Sequence, residues 1–145
     1  MDKAESLVRA LNGELNDKMI EIYSLSMQLF MLQQKYPEAF QCTQRRTALS
    51  RAVHGDDSEI TLTFFEEEVL FARDLQQYDY ALPMMQSLIH TLVQVNGSEN
   101  NQKVFQCYEH LFSMFFQTHD YNQALVTQQK RISIFKELNG GNLED

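Results

Sequence analysis

Cys107 and His110 are the residues in this sequence whose types and spacing come closest to those of a catalytic pair. They lie three residues apart in a stretch whose apolar periodicity predicts a helix, so a thiol and an imidazole share one face. No orienting carboxylate or oxyanion donor is identifiable near them, which favours a buried structural pair. The other histidines, His54, His90 and His119, are scattered, and no two histidines are spaced to place two metal ligands on one helix face.

The consecutive acids Glu66, Glu67 and Glu68 are the next candidate for chemistry. Neighbouring side chains on a helix point about 100° apart, so three in a row cannot converge on one substrate atom. Two interpretations remain open: a solvated acidic ridge, or acids of which some line a binding groove. The sequence contains no phosphate-binding glycine loop, nucleophile elbow or zinc-protease motif. We therefore predict a protein that is not an enzyme and that has neither a cofactor nor a metal site.

The charge distribution indicates what kind of partner this protein binds. The 145 residues carry a net charge of −8, which opposes the phosphate backbone and argues against nucleic acid. The segment 56–102 holds nine acidic residues and one basic residue, so the excess negative charge lies in the middle of the chain. This distribution predicts a protein or peptide partner with basic residues.

Two cysteines and the first residues of the chain bear on its location. Cys42 and Cys107 lie in apolar stretches without metal-site or redox-motif spacing, so we expect two buried thiols in a reducing compartment rather than a disulfide. Residues 1–13 carry charge throughout and contain no long apolar run, which argues against a signal peptide or membrane anchor. These features predict an intracellular, cytoplasmic protein that does not bind membranes.

Isolated glycines divide the chain at regular intervals. Gly13, Gly55, Gly97 and Gly140 are separated by 42, 42 and 43 residues. Between successive glycines, apolar residues recur at helical spacing twice and are interrupted once, which predicts two helices per repeat. We expect one of these helices over residues 60–75 and the next to end near Val95, with Gly97 as a left-handed C-cap and Ser98 at the start of the following helix.

The interruptions share a tyrosine three residues before an alanine. The pairs are Tyr36/Ala39, Tyr78/Ala81 and Tyr121/Ala124. We expect the small residue to let two antiparallel helices approach and the aromatic ring to fill the wedge between them. We also expect Asp79 to cap a helix, Pro37 and Pro83 to lie in first helical turns, and Asp120 to form a capping box with Gln123.

These features resemble the tetratricopeptide repeat (TPR) family, in the 42-residue form found in kinesin light chains. The Tyr-x-x-Ala element, residues 79–86 (DYALPMMQ) and residues 129–140 (QKRISIFKELNG) carry the resemblance, whereas Arg46, Leu88 and Arg131 stand where that family has a small residue. The resemblance implies an all-α, right-handed solenoid of about three antiparallel hairpins with a short N-terminal helix. Residues 1–13 would then be a truncated helix, 14–141 the repeat domain (repeats about 16–55, 58–97 and 98–140) and 142–145 a tail. The alternative is an ordinary helical bundle.

The resemblance also implies a binding groove, because the first helix of each hairpin lines the groove in that family. By register the lining residues are Glu21, Ser24, Gln28, Met31, Thr63, Glu66, Leu70, Arg73, Asp74, Gln106, Glu109, Ser113, Phe116 and Gln117. Such a groove would be acidic with apolar spots. The asparagines with which kinesin light chains clamp a peptide backbone are absent from these positions, so the same cargo peptides are not expected.

Two further surfaces are candidates for assembly. The last helix is apolar on more than one side, so we expect self-association through Val126, Ile134, Phe135 and Leu138, or membership of a larger solenoid. Arg45, Arg46 and Arg51 form a basic cluster, interpreted as a solvated face or as a patch that meets the acidic middle segment of a neighbouring molecule.

The sequence as a whole favours a non-catalytic protein-binding module or scaffold. Two alternatives remain: an accessory or regulatory segment of a larger enzyme or motor complex, and a small chaperone for an apolar partner segment.

Overall fold

A computed structural model describes residues 3–140 of the chain, including the side chains of Lys3, Gly13 and all residues from Asn16 onward. These residues form six α-helices and contain no strand. The helices are α1 (Lys3–Leu32), α2 (Tyr36–His54), α3 (Glu59–Asp74), α4 (Tyr78–Asn96), α5 (Gln102–Gln117) and α6 (Tyr121–Leu138). Within this part of the chain, no helix combines the length and the hydropathy needed to cross a bilayer. The all-α prediction is confirmed.

The predicted helix end at Gly13 is wrong, because α1 runs without interruption from Lys3 to Leu32. Gly55, Gly97 and Gly140 follow helix ends with φ values of 92°, 75° and 71°, positive values that glycine adopts more readily than other residues. An isolated glycine inside a helix costs only about 1 kcal/mol relative to alanine, so the remaining turns of α1 can tolerate it. The truncated helix expected over residues 1–13 is therefore the first part of a longer helix.

Each interruption within a predicted repeat is a turn around one left-handed residue that is not glycine. Gln34, Gln76 and His119 have φ values of 61°, 61° and 63°. After α3, the Gln76 N–H donates to the Arg73 carbonyl at 2.8 Å and the Gln77 N–H donates to the Ala72 carbonyl at 2.9 Å. The same two bonds close α1 and α5, so each of these helices ends in a Schellman motif.

The helix starts confirm some predicted caps and correct others. The Gln123 N–H donates to the Asp120 side chain at 3.3 Å, and Pro37 lies at the start of α2, as expected. Asp79 is not a cap, because α4 begins at Tyr78 and Gln77 occupies the N-cap position. Pro83 lies inside α4 rather than in its first turn, so the carbonyl of Asp79 lacks the usual N–H donor four residues later.

Ser98 does not start α5, which begins at Gln102 with Asn101 as its N-cap. The Asn101 side chain accepts hydrogen bonds from the N–H groups of Lys103, at 2.8 Å, and Val104, at 3.3 Å. The Ser98 hydroxyl instead accepts the Asn100 N–H at 3.0 Å. Asn101 caps the helix because its side chain reaches two first-turn amides that have no partner within the helix.

Replacing Asn101 by alanine is expected to lower the free energy of unfolding by about 1 kcal/mol, because two first-turn amides of α5 lose their acceptor. Ser98→Ala serves as the matched control and is expected to cost less than about 0.5 kcal/mol, since Ser98 caps no helix. Urea denaturation followed by circular dichroism measures both. Equal losses would contradict the assignment of Asn101 as the cap.

The three alanines of the Tyr-x-x-Ala elements are buried as predicted. Ala39 and Ala81 are fully buried and Ala124 is 4% exposed. The tyrosines do not fill a closed wedge, because Tyr36 and Tyr121 expose 42% and 56% of their surface. The small residue, rather than the aromatic ring, is therefore the part of each element that lies in the core.

Internal packing divides the chain into two compact units, residues 1–71 and 72–145, with the division inside α3. In the first unit α1 packs against α2, and in the second α5 packs against both α4 and α6. The core of the first unit includes Phe65 and Val69, and that of the second includes Met85, Leu88 and Met114.

Candidate functional site

Arg46 is buried in the first unit and does not belong to a solvated basic cluster. Its side chain is 5% exposed and pairs with the carboxylate of Glu67. A second guanidinium nitrogen donates to the Ser24 hydroxyl at 3.1 Å, and the group lies 4.2 Å above the Phe64 ring. Arg46 thus connects α1, α2 and α3. Arg45 and Arg51 are exposed, so the predicted cluster is reduced to these two side chains.

The three consecutive glutamates do not form the solvated ridge that was one of their two interpretations. Glu68 is buried at 4% exposure, Glu67 pairs with Arg46, and Glu66 is half-buried. Their side chains point to different sides of α3, as the helical rotation per residue requires. The exposed negative charge near the start of α3 is that of Asp56, Asp57 and Glu59.

Arg131 occupies a similar environment in the second unit. Its guanidinium donates to Gln128 at 2.8 Å and to Glu109 at 3.4 Å, and it lies between 5.5 and 5.7 Å from the ring centres of Phe112 and Phe105. Glu109, one of the predicted groove residues, therefore already has a cationic partner. An arginine on two aromatic faces gains from cation–π attraction and from packing of its aliphatic stem.

Four of the predicted groove residues come together in one pocket of the second unit. Arg73, Asp74, Ser113 and Gln117 line a cavity of about 230 Å³, together with Gln76, Tyr78 and Met114. A second cavity of about 410 Å³ shares Gln76 and Tyr78 with the first. It is also lined by Gln77, Asp79, Tyr80 and Thr118. We call the cavity of about 230 Å³ the 73–117 pocket.

The hydrogen bonds of Arg73 fix the charges around the 73–117 pocket. Its guanidinium donates to His110 Nδ1 at 2.9 Å and to the Asp74 carboxylate at 3.0 Å. Because an arginine nitrogen can only donate, His110 Nδ1 is the acceptor, and the ring is a neutral tautomer protonated at Nε2. The Asp74 side chain is 68% exposed, so its carboxylate is also open to a partner.

His110 and Cys107 do not form an accessible catalytic pair. Cys107 is fully buried, so a substrate cannot reach its thiol, and the His110 ring faces Arg73. The predicted burial of Cys42 and Cys107 is confirmed.

The other predicted groove residues are exposed or half-buried. In the first unit Glu21, Gln28, Met31 and Thr63 are exposed, and Ser24 and Leu70 are half-buried. In the second unit Gln106 is exposed. Phe116, the expected apolar spot, is 53% exposed, and its ring centre lies 5.8 Å from that of Tyr121.

The residues expected to mediate self-association through α6 do not form one face. Ile134 is fully buried, so its assignment to an interface is wrong; it belongs to the core of the second unit. Phe135 is 45% exposed and its ring lies 6.0 Å from that of Phe105. Val126 and Leu138 are exposed, but Val126 lies nine residues before Phe135 and thus on the opposite side of the helix.

Two titratable groups in the second unit have displaced pKa values. The hydrogen bond from Lys130 to Glu99 raises the pKa of the lysine, against a smaller opposing effect of desolvation. Burial raises the pKa of Tyr108, and the nearby positive charge of Lys130 partly offsets this. Both shifts lead away from neutral pH, so neither group is adapted to transfer protons there. In the described part of the chain, no cluster of three or more His, Cys, Asp or Glu side chains could hold a metal ion.

Comparison with known proteins identifies the fold. No protein-family model matches the sequence, and no curated protein is significantly similar to it. Among solved structures, BtubC (BKLC) from P. vanneervenii matches with a TM-score of 0.70 at 19% sequence identity. The match covers 89% of this chain and 50% of BtubC, so the chain spans about half the length of that protein. At this identity the similarity shows the fold alone, which is all-α and TPR-like.

Proposed function

We propose that this protein is a non-catalytic interaction module that binds a peptide segment carrying basic residues. The observation that supports this most directly is the 73–117 pocket, where the Asp74 carboxylate pairs with Arg73 yet remains 68% exposed beside polar side chains. We further infer that the chain is built of the long 42-residue repeats. Left-handed turn residues at Gln34, Gln76 and His119, which are 42 and 43 residues apart, support that inference.

The chemistry of the 73–117 pocket suits a peptide better than a small molecule. Gln76, Gln117 and Ser113 offer both donors and acceptors, which a peptide backbone requires, and Asp74 offers an acceptor for lysine or arginine. The cavity of about 230 Å³ is below the size typical of small-molecule sites, roughly 300–1,000 Å³. It therefore fits a single side chain of an extended segment.

The surrounding charge favours the same partner. Residues 56–102 contain nine acids and one base, and Asp74 belongs to this segment. An excess of one sign steers oppositely charged segments and raises their association rate at low salt. The retained part of the acidic-groove hypothesis is thus centred on Asp74. All three acids pair with arginines of this chain, but the Asp74 side chain is the most exposed, at 68% against 51% for Glu67 and 43% for Glu109. Both hydrogen bonds from Arg73 reach the same Asp74 oxygen, Oδ1.

Charge reversal at Asp74 tests the proposal. The 145-residue chain is first used to select binders from a random peptide library. Selected peptides should be enriched in lysine and arginine, and Asp74→Lys should weaken their binding about tenfold, because attraction is replaced by repulsion. The matched control Asp56→Lys makes the same charge change at an exposed position outside the pocket and should alter affinity by less than about threefold.

Two outcomes would contradict this proposal. Selected peptides without basic enrichment would show that the partner has another chemistry. Equal losses in the Asp74 and Asp56 variants would show that only net charge matters and that the 73–117 pocket is not the site.

A further inference from the structure

An exposed row of apolar side chains runs along α1 and belongs to none of the surfaces described above. Ile22, Leu25, Leu29 and Leu32 expose 52%, 52%, 61% and 83% of their surface. Their spacings of three, four and three residues are those of the a and d positions of a heptad, which place side chains on one stripe of a helix. These four residues are called the α1 row.

The α1 row is not the side of the helix that faces the core. The core-facing side of α1 carries Ile20, which is buried, and Met27 and Phe30, which are half-buried. Met27 and Phe30 follow Ile20 by seven and ten residues, a spacing that keeps the three on one face of a helix. The helical rotation places the α1 row roughly opposite that face. α1 is therefore apolar on two sides, and only one of them is covered within the first unit. Scattered exposed leucines are ordinary, but four on one line form a surface suited to another helix.

We propose that the α1 row pairs, in antiparallel orientation, with the α1 row of a second copy of this chain. The row is self-complementary: a two-fold axis between Leu25 and Leu29 sets these two residues against each other and Ile22 against Leu32. Such isologous pairing closes after two copies. The flanking residues Ser26, Gln28 and Gln33 are uncharged. The flanking acid, Glu21, lies near Gln33 of the other copy rather than near the other Glu21, so no like charges meet beside the four apolar pairs.

The position of Lys18 decides the orientation. Lys18 lies four residues before Ile22 and continues the same line. In a parallel pair two Lys18 ammonium groups would face each other at a d position. In the antiparallel pair they are separated by roughly 27 Å along the axis, at 1.5 Å per residue, which exceeds the screening length of physiological salt.

The exposed apolar residues of α6 are a poorer surface for the same purpose. Tyr121, Leu125, Ile132 and Phe135 follow one line, but Gln128 interrupts it, and the ring of Phe135 already packs against Phe105. They nevertheless provide a matched control, since Leu125 and Ile132 are 60% and 48% exposed, much as the α1 row is.

Sedimentation equilibrium of the 145-residue chain between about 1 and 200 µM tests the proposal. We expect a reversible dimer with a dissociation constant of order 10 µM, as fits a small interface. The pair L25E/L29E should weaken dimerisation more than about 100-fold, because it buries four charges at the two-fold axis. The control pair L125E/I132E should leave the dissociation constant within about threefold. Circular dichroism verifies folding, and L25S/L29S replaces the charged pair if the latter unfolds.

Disulfide formation tests the orientation. Leu25 of one copy faces Leu29 of the other only in the antiparallel pair, so mixing Leu25→Cys with Leu29→Cys should give a mixed disulfide faster than either variant alone. The native Cys42 and Cys107 are buried and do not compete in the folded protein. A chain that remains monomeric at 200 µM would overturn the proposal. So would dissociation by the α6 pair alone, or faster crosslinking of Leu25→Cys with itself.

Discussion

Replacing Arg46 by alanine is expected to lower the free energy of unfolding by about 3 kcal/mol, the largest effect of any change proposed for this protein. The substitution removes a side chain that contacts three helices. It leaves a cavity beside Phe64, and the Ser24 hydroxyl and the Glu67 carboxylate lose their partner. The Glu67 side chain is 51% exposed, so water can replace the arginine there, which keeps the loss at the lower end for a broken buried pair.

Arg46→Leu separates the contribution of packing from that of charge. Leu88 lies 42 residues after Arg46, in the corresponding part of α4, and is fully buried. A leucine therefore fits this kind of position, and we expect Arg46→Leu to cost less than about half as much as the alanine variant, because an apolar side chain fills most of the volume. Arg45→Ala, at the exposed neighbour, should stay within about 0.5 kcal/mol.

Urea denaturation of the three variants, followed at 222 nm, gives the comparison. If the leucine variant loses as much as the alanine variant, the hydrogen bonds to Ser24 and Glu67 rather than the filled volume stabilise the first unit. That result would contradict the packing explanation while leaving the geometry of Arg46 unchanged.

Arg46 also shows why the sequence could predict the helices but not which individual charged side chains are buried. Helical periodicity is a local property, so the helix over residues 60–75 agrees with α3 to within one residue at each end. The burial of Arg46 depends instead on Ser24 and Glu67, which are 22 and 21 residues away in the chain. Arg45, Arg46 and Arg51 are close together in the sequence and therefore resembled a basic surface, although Arg46 is buried.

The candidate site, like the helices and their charges, was only partly predictable from the sequence. The register of the repeats predicted that Arg73, Asp74, Ser113 and Gln117 lie on the first helices of hairpins and line a groove. In the structure these four residues line one cavity. Glu109 pairs with Arg131 of α6 and Glu67 pairs with Arg46 of α2. Such contacts between helices cannot be predicted from the local sequence pattern. The α1 row, by contrast, was visible in the spacing of its residues, but exposed and buried leucines have the same pattern until the neighbouring helices are known.

The glycines show the same limit, because glycine is compatible with a helix end and with a helix interior. Gly13 keeps the interval of the other three, yet α1 continues through it. The Tyr-x-x-Ala elements marked the turns, but not that Gln34, Gln76 and His119 would adopt positive φ, which is uncommon for residues other than glycine. Periodic spacing could therefore locate the breaks without identifying the residue whose backbone reverses.

Replacing Gly55 and Gly13 by alanine tests whether each glycine lies at a helix end or inside a helix, because the two substitutions are expected to have opposite effects on stability. Gly55 has φ 92° and ψ 161°, a region that is nearly restricted to glycine, so Gly55→Ala is expected to lower the free energy of unfolding by about 2 kcal/mol. Gly13→Ala should raise it by about 0.5 to 1 kcal/mol, because alanine restricts the unfolded chain and favours the helix.

The comparison is well controlled because the added methyl group meets no atom within 4 Å at either position. Backbone conformation alone then determines the sign of each change. Gly97→Ala, at φ 75° and ψ 2°, serves as an intermediate case that should cost about 1 kcal/mol, since the left-handed helical region is less restrictive than that of Gly55. Thermal and urea unfolding report all three. Destabilisation by Gly13→Ala would mean that α1 bends or ends at residue 13 in solution, as the regular glycine spacing had predicted.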